Sequence, residues 1–107
     1  MYEVRYKGSK VKKDFLLLLS RCSPEIKVKI RTTLENNPYP TPTHGSLLNK
    51  ITKKGYLYCY PVSGGDRILY DIFKMEDGKK IVLIYFSGND DGEIRYLKKY
   101  AKWTIAF

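Results

Sequence analysis

The stretch Gly65-Asp66-Arg67-Ile68-Leu69-Tyr70-Asp71-Ile72 reads as a tight turn that delivers an arginine onto the start of a strand. Ile68, Tyr70 and Ile72 fall on one face of that strand, so Arg67 points to the other. A guanidinium fixed there is suited to gripping a phosphate, because its planar fork is always charged and binds bidentately. The competing reading is a surface ion pair of Arg67 with Asp66 or Asp71, a weak and common arrangement.

The neighbouring segments continue the strand pattern. Tyr56, Tyr58 and Tyr60 alternate with Leu57 and Cys59. This row is either a stacking platform for bases, sharing a face with Arg67, or a half-buried strand face of a residue type favoured in strands. Asp77-Gly78 signals a two-residue hairpin. Pairing Glu76 with Lys79 across it sets Ile72 against Leu83 and Tyr70 against Tyr85. Residues 80–87 are apolar on both faces, the mark of a central strand covered on both sides. One set is Ile81, Leu83 and Tyr85. A helical pair covers only one face, so Leu69, Phe73, Val82, Ile84 and Phe86 need another cover. Ile94, Leu97, Ala101 and Ile105 can supply part of it, and a partner chain the rest.

Toward the N-terminus, Tyr2, Val4 and Tyr6 alternate with Glu3 and Arg5 as in a half-buried strand. Gly8-Ser9 breaks it, with Ser9 able to cap a helix whose apolar side is Val11, Phe15, Leu18 and Cys22. Ser23-Pro24-Glu25 starts a second helix with Ile26, Ile30 and Leu34 as its stripe, stopped at Asn36-Asn37-Pro38. The short break predicts an antiparallel helical hairpin. Prolines 38, 40 and 42 make the next segment an extended connector. Residues 47–54 are ambiguous in backbone, but Lys50, Lys53 and Lys54 make them basic.

The chain has 107 residues, 43% hydrophobic and 14% aromatic, enough for a single domain (1–107) with a real core. Its net charge of +9 favours polyanionic partners, nucleic acid first, then membrane surfaces or an acidic protein. The longest aliphatic block, Leu16 to Leu19, is far too short to span a bilayer. The expectation is a soluble, cytoplasmic protein without a membrane partner. Cys22 and Cys59 are too far apart for a zinc or redox motif and read as small core residues, with a disulfide between them left open.

Other chemistry is thinly represented. His44 is the one histidine and sits in the proline-rich connector, so a nucleophilic triad is a poor fit. No metal-ligand spacing exists, and no cofactor is implied. Asn89, Asp90, Asp91 and Glu93 read as an acidic helix N-terminus, with cation binding as the lesser reading. Lys98, Lys99 and Lys102 form either a phosphate-contacting edge or a solvated helix face.

The order strand, helical hairpin, proline-bearing connector, three-strand meander and C-terminal segment resembles the RelE/ParE superfamily, the toxic halves of type II toxin–antitoxin pairs. The residues that carry the likeness are Leu34-Glu35-Asn36-Asn37-Pro38, then Gly65 to Ile72, the apolar strand Ile81 to Phe86, and Tyr96. It spans nearly the whole chain. The resemblance implies an α+β, RelE-like fold: an N-terminal strand and helical hairpin packed on a three- to four-stranded antiparallel sheet, with a C-terminal helical segment. It implies a cognate antitoxin, and messenger RNA on the ribosome as target. Cleavage would be metal-independent, by attack of a ribose 2′-hydroxyl on the adjacent phosphate. By position, Arg67 matches the arginine that clamps the phosphate. Tyr96 matches the tyrosine that orients or activates the nucleophile or stacks on a base. Lys50, Lys53, Lys54, Tyr58, Tyr60, Lys98 and Lys99 are the expected RNA-binding set. The chain departs from the RelE pattern where Tyr58 and Tyr60 stand at expected lysines and Asp90 at an expected arginine. Lys53, Lys54, His44 or Asp90 could compensate. The ParE branch, which shares the fold and targets DNA gyrase, needs none of these groups, and a catalytically degenerate RNA-binding relative is the remaining alternative.

Overall fold

A computed structural model of the chain describes residues 1–39, 48–52, 55–62, 64–89, 91–93 and 95–96. The elements run β1 (Glu3–Tyr6), α1 (Ser9–Ser20), α2 (Pro24–Asn36), β2 (Leu48–Thr52), β3 (Gly55–Val62), β4 (Asp66–Lys74) and β5 (Lys80–Asn89). The fold is α+β. Among the described residues the sheet has five strands in the order β1-β5-β4-β3-β2. It is mixed, because β1 runs parallel to β5 while the other neighbours are antiparallel. The expected three- to four-stranded antiparallel sheet is therefore corrected twice. The N-terminal strand joins the sheet in parallel, and the ambiguous basic segment adds β2.

Both helices lay their apolar sides on one face of the sheet. Phe15, Leu18 and Leu19 from α1 and Ile30 and Leu34 from α2 are buried with Tyr60, Val62, Ile68, Tyr70, Val82 and Ile84. Tyr2, Val4 and Tyr6 pack against this core, as the alternation of β1 required. The two helices start differently. Ser23 caps α2, its Oγ accepting from the Ile26 amide at 3.3 Å, and Pro24 occupies the first turn, where a missing N–H costs nothing. Helix α1 begins at Ser9 itself, with Gly8 at the cap and no side-chain cap bond.

The β4–β5 hairpin differs from its sequence reading by one residue. Lys74 pairs with Lys80, and the Met75 amide donates to the Lys79 carbonyl at 2.7 Å. The loop is thus Glu76-Asp77-Gly78, with Gly78 at φ +87°, where a residue without Cβ is favoured. Tyr70 accordingly faces Ile84 and Ile72 faces Val82, rather than Tyr85 and Leu83. One slipped residue exchanges the faces of a strand. Val82 and Ile84 therefore lie under the helices instead of awaiting another cover.

A bulge then changes the register again. Tyr70 pairs with Ile84 but Leu69 pairs with Phe86, leaving Tyr85 as the extra residue on β5. Tyr85 and Phe86 both pack in a second apolar cluster with Leu57, Cys59, Leu69 and Tyr96, on the sheet face away from the helices. Phe73 is 38% exposed. Ile94, Leu97, Ala101 and Ile105, expected to cover this face, lie outside the described residues.

A row of rings ties the start of the connector to the sheet. Tyr58 stacks on Tyr70 at 5.7 Å, Tyr39 meets Tyr58 edge-on at 5.9 Å, and Tyr2 meets Tyr39 at 6.3 Å. The fully buried Tyr70 donates its hydroxyl to the Pro38 carbonyl at 2.5 Å. Neither cysteine forms a disulfide; Cys59 is buried and Cys22 half-buried.

Candidate nucleic-acid interface

The face of the sheet opposite the helices gathers the chemistry. Strand alternation from the buried Ile68 and Tyr70 sets Arg67, Leu69 and Asp71 on this side. Arg67 is half-buried, and its Nη1 donates to the Asp66 carbonyl at 2.9 Å. Asp66 reaches Arg21 at 3.4 Å, and Asp71 accepts from the Ile72 amide at 2.8 Å.

Tyr96 comes to the same face through the turn that follows β5. Asn89 Oδ1 accepts from the Gly92 amide at 2.8 Å and starts that turn. The rings of Phe86 and Tyr96 lie 5.5 Å apart at 32°. Gly88 and Gly92 make this approach possible, since a Cβ at either would stand 2.8 or 2.9 Å from Phe86 Cζ. Glu93, 6% exposed, accepts a hydrogen bond from the Cys59 thiol at 3.2 Å, fixing the turn to β3. Glu93 lies in the expected helix start, residues 91–93 being helical, and serves there as a buried anchor.

Two residues of this face escaped the sequence reading. Lys7 follows β1, and its ammonium sits 4.8 Å from the centre of the Tyr85 ring, a cation–π contact. Burial, with a smaller push from Asp71, raises the Tyr85 phenol above its ordinary value, so it stays protonated at neutral pH. The alternation Glu3, Arg5, Lys7 carried the signal for Lys7, but only the non-local pairing of Tyr6 with Ile84 brings it to Tyr85.

The proposed aromatic platform is corrected. Tyr60 is buried and Tyr58 half-buried in the cluster under the helices, on the face away from Arg67. Burial pushes the Tyr60 phenol up, with Thr33 as a hydrogen-bonding neighbour. These rings serve the core and are not available for stacking on bases. Lys50 lies in β2, paired with Leu57. Lys53, Lys54, Lys98, Lys99, Lys102, His44 and Asp90 lie outside the described residues.

The face thus presents a permanent guanidinium, an ammonium and two phenols over an apolar floor. That set can hold a phosphodiester, stack on a base and donate hydrogen bonds. Among the described residues no helix is long and apolar enough to cross a membrane. The chain matches no protein-family model and no curated protein sequence.

Proposed function

We propose that the protein is the toxin of a type II toxin–antitoxin pair, a RelE-like endonuclease that cuts messenger RNA on the ribosome and so inhibits translation. The observation that carries this reading is the presence of Arg67 and Tyr96 on one sheet face of a chain with net charge +9. The element order, a strand, two helices, a connector, antiparallel strands and a C-terminal turn, supports it further.

In the proposed reaction the ribose 2′-oxygen bonds to phosphorus and the bond from phosphorus to the 5′-oxygen breaks. One proton leaves the 2′-hydroxyl and one is taken up by the 5′-oxygen. Arg67 holds the non-bridging oxygens as their charge grows. Tyr96 orients the nucleophile or stacks on the neighbouring base. Lys7 adds positive charge at Tyr85, and the neutral Tyr85 phenol donates a hydrogen bond but is a weak acid.

The antitoxin would be acidic and would dock in part on α1. There Leu16 and Leu17 are 45% and 49% exposed beside the exposed Lys12 and Lys13.

One observation favours a second reading, a non-cleaving inhibitor of the ParE kind directed at DNA gyrase. On the Arg67 side β3 offers Leu57, Cys59 and Pro61, none of them a base at neutral pH. Inducing expression in a bacterial host and mapping transcript ends separates the two. New cuts within reading frames support the nuclease. Intact messages with a DNA-damage response overturn it in favour of the inhibitor.

A further inference from the structure

A second polar cleft, of about 630 Å³, opens on the helix side of the sheet, between α1 and the far end of β5. Its cause is topological. Strand β1 stops at Tyr6, opposite Ile84, so β5 beyond that point has no β1 neighbour. Asp14, Leu17 and Arg21 form one wall, and Gly64 and Asp66 another. Ser87 and Gly88 lie between them, with Arg95 at the rim.

Ser87 is 5% exposed, and its hydroxyl has no hydrogen-bond partner among the described residues. Buried polar groups are nearly always satisfied, so an orphan one lining a cleft marks a place where a partner is expected. The charges around it are mostly occupied in pairs. Asp14 takes Lys10 at 3.0 Å, and Asp66 takes Arg21 at a long 3.4 Å with the arginine side chain 59% exposed. Arg95 adds a further cation, exposed at the rim. Among the residues that line the cleft, the guanidiniums of Arg21 and Arg95 balance the carboxylates of Asp14 and Asp66, and Lys10 reaches Asp14 from outside it. Arg21 is held weakly enough to turn to a stronger acceptor.

We propose that this cleft binds the phosphate group of a nucleotide. Two guanidiniums and a hydroxyl line the cleft as donors, which suits a tetrahedral anion with several acceptor oxygens better than a carboxylate with two. The volume exceeds a bare phosphate and falls in the range of small-molecule sites. Leu17 supplies apolar surface for the sugar or base, and the carboxylates of Asp14 and Asp66 accept from its hydroxyl or amino groups. The nucleotide can be free or part of an RNA strand. The cleft lies on the helix side while Arg67 points to the other face; the two adjoin through β5 at Gly88, and the proposal stands whether or not RNA is cut at Arg67.

The test is an amide-resolved NMR titration of the whole protein with adenosine 5′-monophosphate, inorganic phosphate and a short single-stranded RNA. Saturable shifts at Gly64, Gly88 and Gly92 are expected. Binding should fall at least about tenfold in Arg21→Gln and in Arg95→Gln, and persist in Arg67→Ala. Ser87→Ala should weaken binding while leaving the melting temperature of the free protein unchanged or higher, since its hydroxyl makes no bond there. Tighter binding of the RNA than of the monophosphate assigns the site to a strand, and equal binding to a free nucleotide. The absence of saturable shifts at these glycines, or shifts unaltered by both arginine substitutions, overturns the proposal and leaves the cleft to solvent.

Discussion

Arg67 on β4 stands opposite Gly88 on β5, and the missing side chain at Gly88 is what lets the Phe86 ring lie beside it. Gly88, the Phe86 ring and Tyr96 are therefore packed as one unit on the strand that pairs with Arg67. A Cβ at Gly88 would stand 2.8 Å from Phe86 Cζ, and one at Gly92 2.9 Å. Gly88→Ala and Gly92→Ala should each cost about 1–3 kcal/mol, the range for overpacking. Both should also detach Tyr96 from Phe86. Urea midpoints and ring–ring nuclear Overhauser contacts check this, and unchanged contacts would show that the ring relaxes freely.

Tyr96 should separate into two roles by substitution. Tyr96→Phe keeps the stack on Phe86 and removes the hydroxyl, so stability should hold while growth arrest weakens. Tyr96→Leu should lose in addition about 0.5–1.5 kcal/mol of ring–ring contact. Full toxicity in Tyr96→Phe would reduce the residue to packing.

Tyr70 tests the core independently of function. Its hydroxyl holds the Pro38 carbonyl at 2.5 Å in a fully buried setting. Tyr70→Phe keeps the stack with Tyr58 and leaves that carbonyl without its partner, at a cost of about 1–3 kcal/mol. Denaturant unfolding gives the number, and no change would mean that the carbonyl finds another donor.

The phenols also set a limit at high pH. Burial raises Tyr6, Tyr39, Tyr60, Tyr70 and Tyr85 above the ordinary value of 10.0, with Tyr70 pushed furthest. Above pH 10 the unfolded chain releases these protons while the folded one retains them, so stability must fall as pH rises. It is fully present below pH 10 and is lost as pH climbs through the folded values. The melting temperature should therefore show no tyrosine-linked change near neutrality and decline above pH 10. The phenolate absorbance of these five rings should appear together with unfolding. Ionisation of all ten tyrosines at the ordinary value in the folded state would contradict the burial.

The local rules written in the sequence were legible and the long-range ones were not. Ser23 and Pro24 announced the start of α2, and the alternation of Tyr2, Val4 and Tyr6 announced the buried face of β1. Arg67 on the face away from Ile68 and Tyr70 followed from a period of two. Asp77-Gly78 marked the hairpin but not its length. The difference between a two- and a three-residue loop reversed the facing of Val82 and Ile84. The bulge at Tyr85 is set by packing of Tyr85 and Phe86 against Leu57, Cys59 and Leu69, residues distant in sequence. The assignment of Tyr58 and Tyr60 to Arg67's face failed because facing depends on the β3–β4 register, which sets Tyr60 against Ile68 and Pro61 against Arg67. Ser87 gave no sequence signal at all. Its meaning lies in where β1 ends.

The central claim is that the guanidinium of Arg67 holds the phosphate at which messenger RNA is cut. End-labelled messenger RNA on translating ribosomes, incubated with purified wild-type protein and with Arg67→Ala, tests it most directly. Wild type should generate discrete new ends, and Arg67→Ala should reduce their rate by about 10²–10³-fold, as for removal of a group that stabilises transition-state charge, while its circular dichroism and melting temperature stay at wild-type values. Intact message with the wild-type protein, or equal cutting by the folded Arg67→Ala variant, would contradict the account.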